Sequence, residues 1–188
     1  MIKRITQRLP VSPHVTTYTV FVSTPETIID KYEQEYEPPD GYSSRVLTPD
    51  DFSRLDAARS GYASVAEKRI DDGHTGIVAV NDGNIASVAW LYRNLKDETT
   101  NVMYYDLGPK NAWFHSAWTH QNYRGNGLHT WLIYERAQYL LDVGSVGTIE
   151  SNIGVNNKIS THNYAKLGFE NDRQFTMFYV HDLLNVKW

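Results

Sequence analysis

The rhythm of apolar and polar positions changes several times along the chain. Residues 16–22 (TTYTVFV) are β-branched and aromatic and predict a strand. Residues 1–14 are polar, carry Pro10 and Pro13, and read as an irregular arm. Residues 26–40 are acidic and run into Pro38, Pro39, Asp40 and Gly41, a breaker that sets the edge of the main domain. The chain therefore divides into an N-terminal extension, residues 1–40, with one extra strand at about 15–22, and a domain of residues 41–188. The extra strand could extend a sheet edge or pair with another subunit by strand addition, and a homodimer is expected on that ground.

The signals sharpen after residue 41. Residues 43–47 form a short strand. Thr48, Pro49, Asp50 and Asp51 start a helix, with a capping hydroxyl, a proline suited to the first turn and two acids at the positive end of the dipole. A second helix is expected over 63–70. Residues 76–80 and 85–92 are apolar runs joined by Asn81, Asp82, Gly83 and Asn84, a hairpin because Asp-Gly supplies the positive φ of such turns. Residues 102–106 read as a short strand and 112–119 (AWFHSAWT) as a clear one. Leu128, Trp131, Leu132, Ala137, Leu140 and Leu141 share a broad face of a helix over 127–142, which Gly144 stops. A strand over 146–151, a helix over 156–167 and a closing strand over 175–180 complete the order. Strands and helices alternating around a mixed sheet make the class α/β or α+β.

Composition narrows the functions. The chain has 188 residues, enough for one full core. Lys plus Arg is 18 and Asp plus Glu is 22, so the net charge is −4. That argues against a sequence-tolerant nucleic-acid binder and suits a cationic partner slightly better. The absence of cysteine removes disulfides, thiolate nucleophiles and Cys-ligated zinc. No His-Glu-x-x-His spacing occurs, so no metal is expected. No apolar run reaches the roughly 20 residues of a membrane helix, and the basic N-terminus lacks the apolar core of a signal peptide. A cytoplasmic protein without membrane contact is expected. Aromatics reach 13 %, with 13 tyrosines, which serve strand packing or an aromatic-lined pocket.

The stretch from Trp118 to Thr130 (WTHQNYRGNGLHT) carries the most chemistry. A strand runs into Arg124, Gly125, Asn126 and Gly127, and a helix starts at once. Glycines let successive amide N–H groups turn toward one point, and the helix N-terminus adds positive potential there. The Lys-Ser/Thr of a nucleotide P-loop is missing, as is the third glycine of the dinucleotide fingerprint. Thr119, His120, Gln121, Asn122, Tyr123, Arg124, Gly125, Asn126, Gly127, Leu128 and His129 resemble the acyl-CoA-binding motif V-H-P-x-Y-R-G-x-G-(I/L)-G of the GCN5-related N-acetyltransferase (GNAT) superfamily. Asn157, Ser160, Tyr164, Lys166, Gly168 and Phe169 resemble that family's second motif, at family spacing. The resemblance covers roughly residues 42–182.

It implies a mostly antiparallel mixed sheet flanked by helices, with a V-shaped splay after the fourth strand. It implies an acyl-CoA-dependent N-acyltransferase that moves acetyl from acetyl-CoA, its co-substrate, to a primary amine of a small molecule by direct transfer. Longer-chain or acyl-carrier-protein donors, and a non-catalytic CoA-binding module, stay open as alternatives. The amides of Arg124 to His129 would hold the CoA pyrophosphate and Thr130 would add a hydroxyl. Ala117, Trp118 and Thr119 would pair with the pantetheine arm, the N–H of Ala117 donating to the thioester carbonyl. Asn157 and Ser160 fall at donor-binding positions, and Tyr164 matches the general acid that protonates the departing thiolate. His129 departs from the family's Gly or Ala and would crowd the pyrophosphate or donate to it. For the general base, the family often uses a Glu that this strand lacks. His115 stands in the strand instead, as in the arylalkylamine acetyltransferases, and histidine suits that task near neutral pH. Asp106, Tyr105 or a water chain are the other candidates. His120 is expected to be structural and His162 to lie on the surface. Trp113 and Trp118 are candidates for an acceptor pocket, and Trp131 for the core.

Overall fold

The computed structural model describes residues 14–102, 105–144 and 146–179. Of the expected irregular arm, residues 1–13 lie outside them and His14 instead opens a strand; the last residue of the expected closing strand also lies outside them.

The chain runs β1 (His14–Ser23), α1 (Pro25–Glu35), β2 (Ser43–Val46), a 3-10 turn at Pro49–Asp51, α2 (Phe52–Ala58), α3 (Tyr62–Asp71), β3 (Thr75–Asn81) and β4 (Asn84–Arg93). Then come β5 (Thr100–Val102), β6 (Tyr105–Leu107), β7 (Ala112–Thr119), a 3-10 turn at Gln121–Tyr123, α4 (Leu128–Val143), β8 (Ile149–Gly154), α5 (Lys158–Lys166) and β9 (Glu170–Tyr179). Seven strands form one sheet in the order β2-β3-β4-β7-β8-β1-β9, antiparallel except where β7 meets β8. The β3–β4 turn has Asp82 and Gly83 both at positive φ, 47° and 77°, as a two-residue hairpin turn of the right twist requires.

Helices α1 and α4 cover one face. Ile28, Ile29 and Tyr32 of α1 and Leu128, Leu132 and Ala137 of α4 pack there with Phe21, Ile77, Ala89 and Phe114 of the sheet. Helices α2 and α3 cover the other face through Leu55, Tyr62 and Ala66, against Val78, Val88 and Trp90. Trp131 belongs to the core as expected, whereas Leu141 is 42 % exposed and leaves the apolar face one residue early.

Four expectations are corrected. The N-terminal strand does not extend an edge: β1 pairs with β8 on one side and β9 on the other, so both its edges are already occupied and strand addition by another subunit has no place there. The acidic stretch is helix α1, capped by Thr24, whose hydroxyl accepts from Thr27 N, with Pro25 in the first turn. The short strand expected over 102–106 is two strands, β5 and β6, paired as a separate hairpin. The strand expected over 146–151 also begins later, at Ile149.

The opening in the sheet has a local cause. Strands β7 and β8 pair only at Ala112–Ile149 and Trp113–Glu150. Further along, side chains bridge them: Trp113 Nε1 donates to Asn152 Oδ1 at 2.7 Å and Ser151 Oγ donates to Phe114 O at 2.9 Å. The backbone ladder is thus short at the place where the splay is expected, after the fourth strand of the sheet order.

Candidate active site

The loop before α4 sets the site. Gly125 and Gly127 have φ of 86° and 71°. A Cβ on either would meet nothing within 4 Å, so backbone conformation rather than space calls for glycine. Gly127 is the N-cap and brings no side chain to cap the helix. The amides of Leu128, His129 and Thr130, in the first turn, have no acceptor inside the helix and carry the positive end of its dipole.

Those amides open onto a groove of about 690 Å³. Ala117, Trp118 and Thr119 of β7 form one wall, Tyr123 to Gly125 and Gly127 to Thr130 the floor, and Asn157, Ile159, Ser160 and Asn163 the other wall. The structure thus brings together all the predicted donor-binding residues except Asn126 and Tyr164. Asn126 turns away and donates from Nδ2 to Tyr123 O at 3.1 Å. Asn157 caps α5, its Oδ1 accepting from Ser160 N at 3.2 Å, which leaves its Nδ2 donors for the groove. Tyr123, Ile159 and Asn163 also line the groove and went unpredicted. Helical spacing from Ser160 was the signal available for Asn163.

Strand β7 bends at the groove. Trp90 of β4 pairs with His115 and Val88 with Trp118, so Ser116 and Ala117 stand opposite Ala89 alone. This is a β-bulge. Ser116 takes φ of 50°, a strained value for a residue with a side chain, and both bulge residues are exposed.

Beside the bulge, His115 is 8 % exposed and stacks on Trp113, ring centroids 4.1 Å apart. Its Nε2 lies 2.8 Å from His74 Nδ1 and its Nδ1 lies 3.1 Å from Ser116 Oγ. Burial, then the neighbouring His74, Arg69 and Arg136, hold the His115 imidazolium form well below its ordinary range. His115 is therefore neutral near pH 7, the form a base needs. His74, without a pattern in the sequence, becomes a second ring of the same cluster and touches Tyr92 and Trp113. Tyr105 packs edge-on against Trp113, and its buried hydroxyl has no hydrogen-bond partner among the described residues. Asp106 is exposed and takes a hydrogen bond from Asn101 on the hairpin.

Tyr164 is 3 % exposed and does not line the groove. Its hydroxyl accepts from Arg136 Nη2 at 3.4 Å. Arg136 is fully buried, donates from Nε to Leu132 O and from Nη1 to Trp90 O, both at 2.9 Å, and lies over the Phe114 ring. Burial lowers its affinity for the proton and the Tyr164 hydroxyl opposes that. A charge among Leu132, Ala137 and Leu140 was the sequence signal for this residue, and it was passed over.

His129 lies along the groove. Its Nδ1 accepts from Asn163 Nδ2 at 2.9 Å, which fixes the ring proton on Nε2. Burial, and secondarily Arg136, push its pKa down to about 4. The ring is thus a neutral N–H donor. His120 caps the 3-10 turn, accepting from Asn122 N, and His162 is exposed, both as expected. Among the described residues, no cluster of His, Cys, Asp and Glu could hold a metal ion, and no helix is long and apolar enough to cross a membrane.

No curated protein sequence matches the chain. Among solved structures, a tandem GNAT protein from the clavulanic acid biosynthesis pathway superposes with a TM-score of 0.63 at 19 % identity, covering 89 % of this chain and 55 % of that one. A Drosophila protein gives 0.63 at 11 % identity, covering 90 % and 52 %. The chain thus spans about half the length of these two. The aminoglycoside N-acetyltransferase AAC(6')-Iy, solved in complex with CoA, gives 0.53 at 20 % identity, covering 70 % and 94 %. At such identities these likenesses show the fold. The family model for the acetyltransferase (GNAT) family matches residues 30–169, well over half of the sequence, from within α1 through α5, and the chain belongs to that family.

Proposed function

We propose that the protein is an acyl-CoA-dependent N-acyltransferase that moves acetyl from acetyl-CoA to a primary amine of a small molecule. The observation that carries this reading is the uncapped N-terminus of α4 opening onto a groove that ends at the β7 bulge. The amides of Arg124 to His129 and the Thr130 hydroxyl suit a pyrophosphate, since they present donors and helix-dipole potential together. The neutral His129, its Nδ1 taken by Asn163, supports donation of an N–H there over crowding. Trp118 and Thr119 pair with the pantetheine arm, and Asn157 and Ser160 close on it from α5. The Ala117 N–H, at the bulge, meets the thioester oxygen, where negative charge develops in the transition state.

The amine attacks the carbonyl directly. His115, directly or through a group it orients, takes its proton, and Tyr164, buried beside the groove, is assigned on its motif position to protonate the leaving thiolate. Arg136 holds the Tyr164 oxygen while that proton leaves. The solved neighbour named as an aminoglycoside N-acetyltransferase, and the net charge of −4, support a cationic amine as acceptor.

Thermal unfolding with acetyl-CoA, CoA and palmitoyl-CoA tests the reading. A ligand at about 100 times its Kd adds about 2.7 kcal/mol, which for a domain of this size raises Tm by roughly 5 to 11 °C. Acetyl-CoA is expected to give such a rise. A rise with palmitoyl-CoA alone would shift the donor to a longer acyl chain, and no rise with any of the three would remove the acyl-CoA reading.

A further inference from the structure

His115 has no ring nitrogen left for a substrate. Nδ1 is 3.1 Å from Ser116 Oγ, Nε2 is 2.8 Å from His74 Nδ1, and the ring is 8 % exposed. Ser116 is exposed, sits at the bulge next to Ala117, and holds its hydroxyl in place through a backbone at φ of 50°. His74 is half-buried just before β3. The three groups form a chain of contacts that starts at Ser116, next to the groove-lining Ala117. Two tautomer sets satisfy both bonds, and the one that can relay a proton has Ser116 O–H donating to His115 Nδ1 and His115 Nε2–H donating to His74 Nδ1.

Resting on the acyltransferase reading, we infer that Ser116, His115 and His74 form a proton relay in which the Ser116 hydroxyl, not the His115 ring, receives the proton of the substrate ammonium. The ammonium N–H bond breaks and its proton passes to Ser116 Oγ while the Ser116 proton passes to His115 Nδ1. The His115 Nε2 proton passes to His74 Nδ1, and the His74 Nε2 proton leaves to water. The nitrogen lone pair so freed forms the bond to the thioester carbon. Exchange with water at half-exposed His74 and exposed Ser116 restores the starting tautomers.

The charges around the relay favour release of the proton. Arg69 and Lys68 of α3 face His74, opposed by Asp72, with Tyr92 of β4 beside it. Arg69 and Arg136 act on His115, with Trp113 of β7 stacked on it. Both rings are consequently poor at keeping a proton near neutral pH.

Long-range nitrogen–proton correlation spectra of the histidine rings in the full chain test the relay without any turnover. The expected result is His115 with its proton on Nε2 and none on Nδ1, and a proton on Nδ1 would overturn the proposal. Two variants test it in turnover. Ser116→Gly removes the hydroxyl and suits the positive φ. His74→Gln keeps an acceptor for His115 but cannot pass a proton on. Each is expected to lower kcat by about 10- to 100-fold, with KM for acetyl-CoA unchanged and the spectrum of a folded protein. Wild-type kcat in either variant would overturn the relay. Absence of transfer by the wild-type protein, with the tautomers as assigned, counts against the acyltransferase reading and upholds the hydrogen-bond chain.

Discussion

On the proposed reading, the chemistry turns on Tyr164 and on Arg136, which donates to its hydroxyl. A phenol next to a buried guanidinium can give up its proton without stranding a lone charge in the core. Tyr164→Phe removes the acid and keeps the ring that packs edge-on against Phe169. It is expected to lower kcat by about 100-fold with little change in KM, measured by steady-state kinetics. Arg136→Ala leaves the Leu132 and Trp90 carbonyls without their donor and opens a cavity over Phe114. Its expected cost is about 3 kcal/mol in urea unfolding. At His129 the same physics appears as pH dependence. Its pKa of about 4 lies below the ordinary 6.5, so between those values the unfolded chain binds more protons than the native one. Stability is complete above pH 6.5 and falls as pH drops toward 4, by up to about 3 kcal/mol. His129→Gln should flatten that fall in urea titrations at pH 7 and pH 4.5. His74 and His115 act in the same direction, so the slope is reduced rather than abolished.

On the proposed reading, helix α4 and the loop before it decide whether a donor can bind. Gly127→Val places a β-branched residue at φ of 71°, where no protein atom obstructs it. The backbone strain is roughly 1 to 2 kcal/mol, visible as a lower Tm. The larger expected effect is weaker acetyl-CoA binding by calorimetry, because the first-turn amides lose their orientation. This element was fully legible in the sequence, since Arg124-Gly125-Asn126-Gly127 and the apolar face from Leu128 onward are local signals. The β3–β4 hairpin was legible for the same reason. Its turn geometry resides in Asp82 and Gly83 alone. The β7 bulge was not, because Ser116 and Ala117 look like any strand residues until Trp90 and Val88 fix the register opposite them. His74 was equally silent, being brought to His115 by packing of α3 and β3 and not by any spacing.

Across the whole molecule, the main correction concerns the N-terminal segment. A β-branched run such as residues 16–22 announces a strand but not its neighbours. Those neighbours, β8 and β9, lie more than a hundred residues away, in pairs such as Val20–Asn152 and Val22–Glu170. The acidity of residues 26–40 likewise masked α1, whose Ile28, Ile29 and Tyr32 enter the main core. The fold therefore depends on β1. A chain begun at residue 24 retains the whole of the family match but loses an interior strand. It is expected to be unfolded, with no cooperative thermal transition. A folded truncated chain would show that β8 and β9 can close on each other without β1.

The central claim is transfer of an acyl group from CoA to an amine at the bulge beside α4. Its most direct test is the release of CoA thiol from acetyl-CoA on addition of primary amines, followed with a thiol reagent, since the chain has no cysteine to react. The account predicts amine-dependent release by the wild-type protein and a drop of about 100-fold in Tyr164→Phe. No amine-dependent release at saturating acetyl-CoA, or full release by Tyr164→Phe, would contradict it.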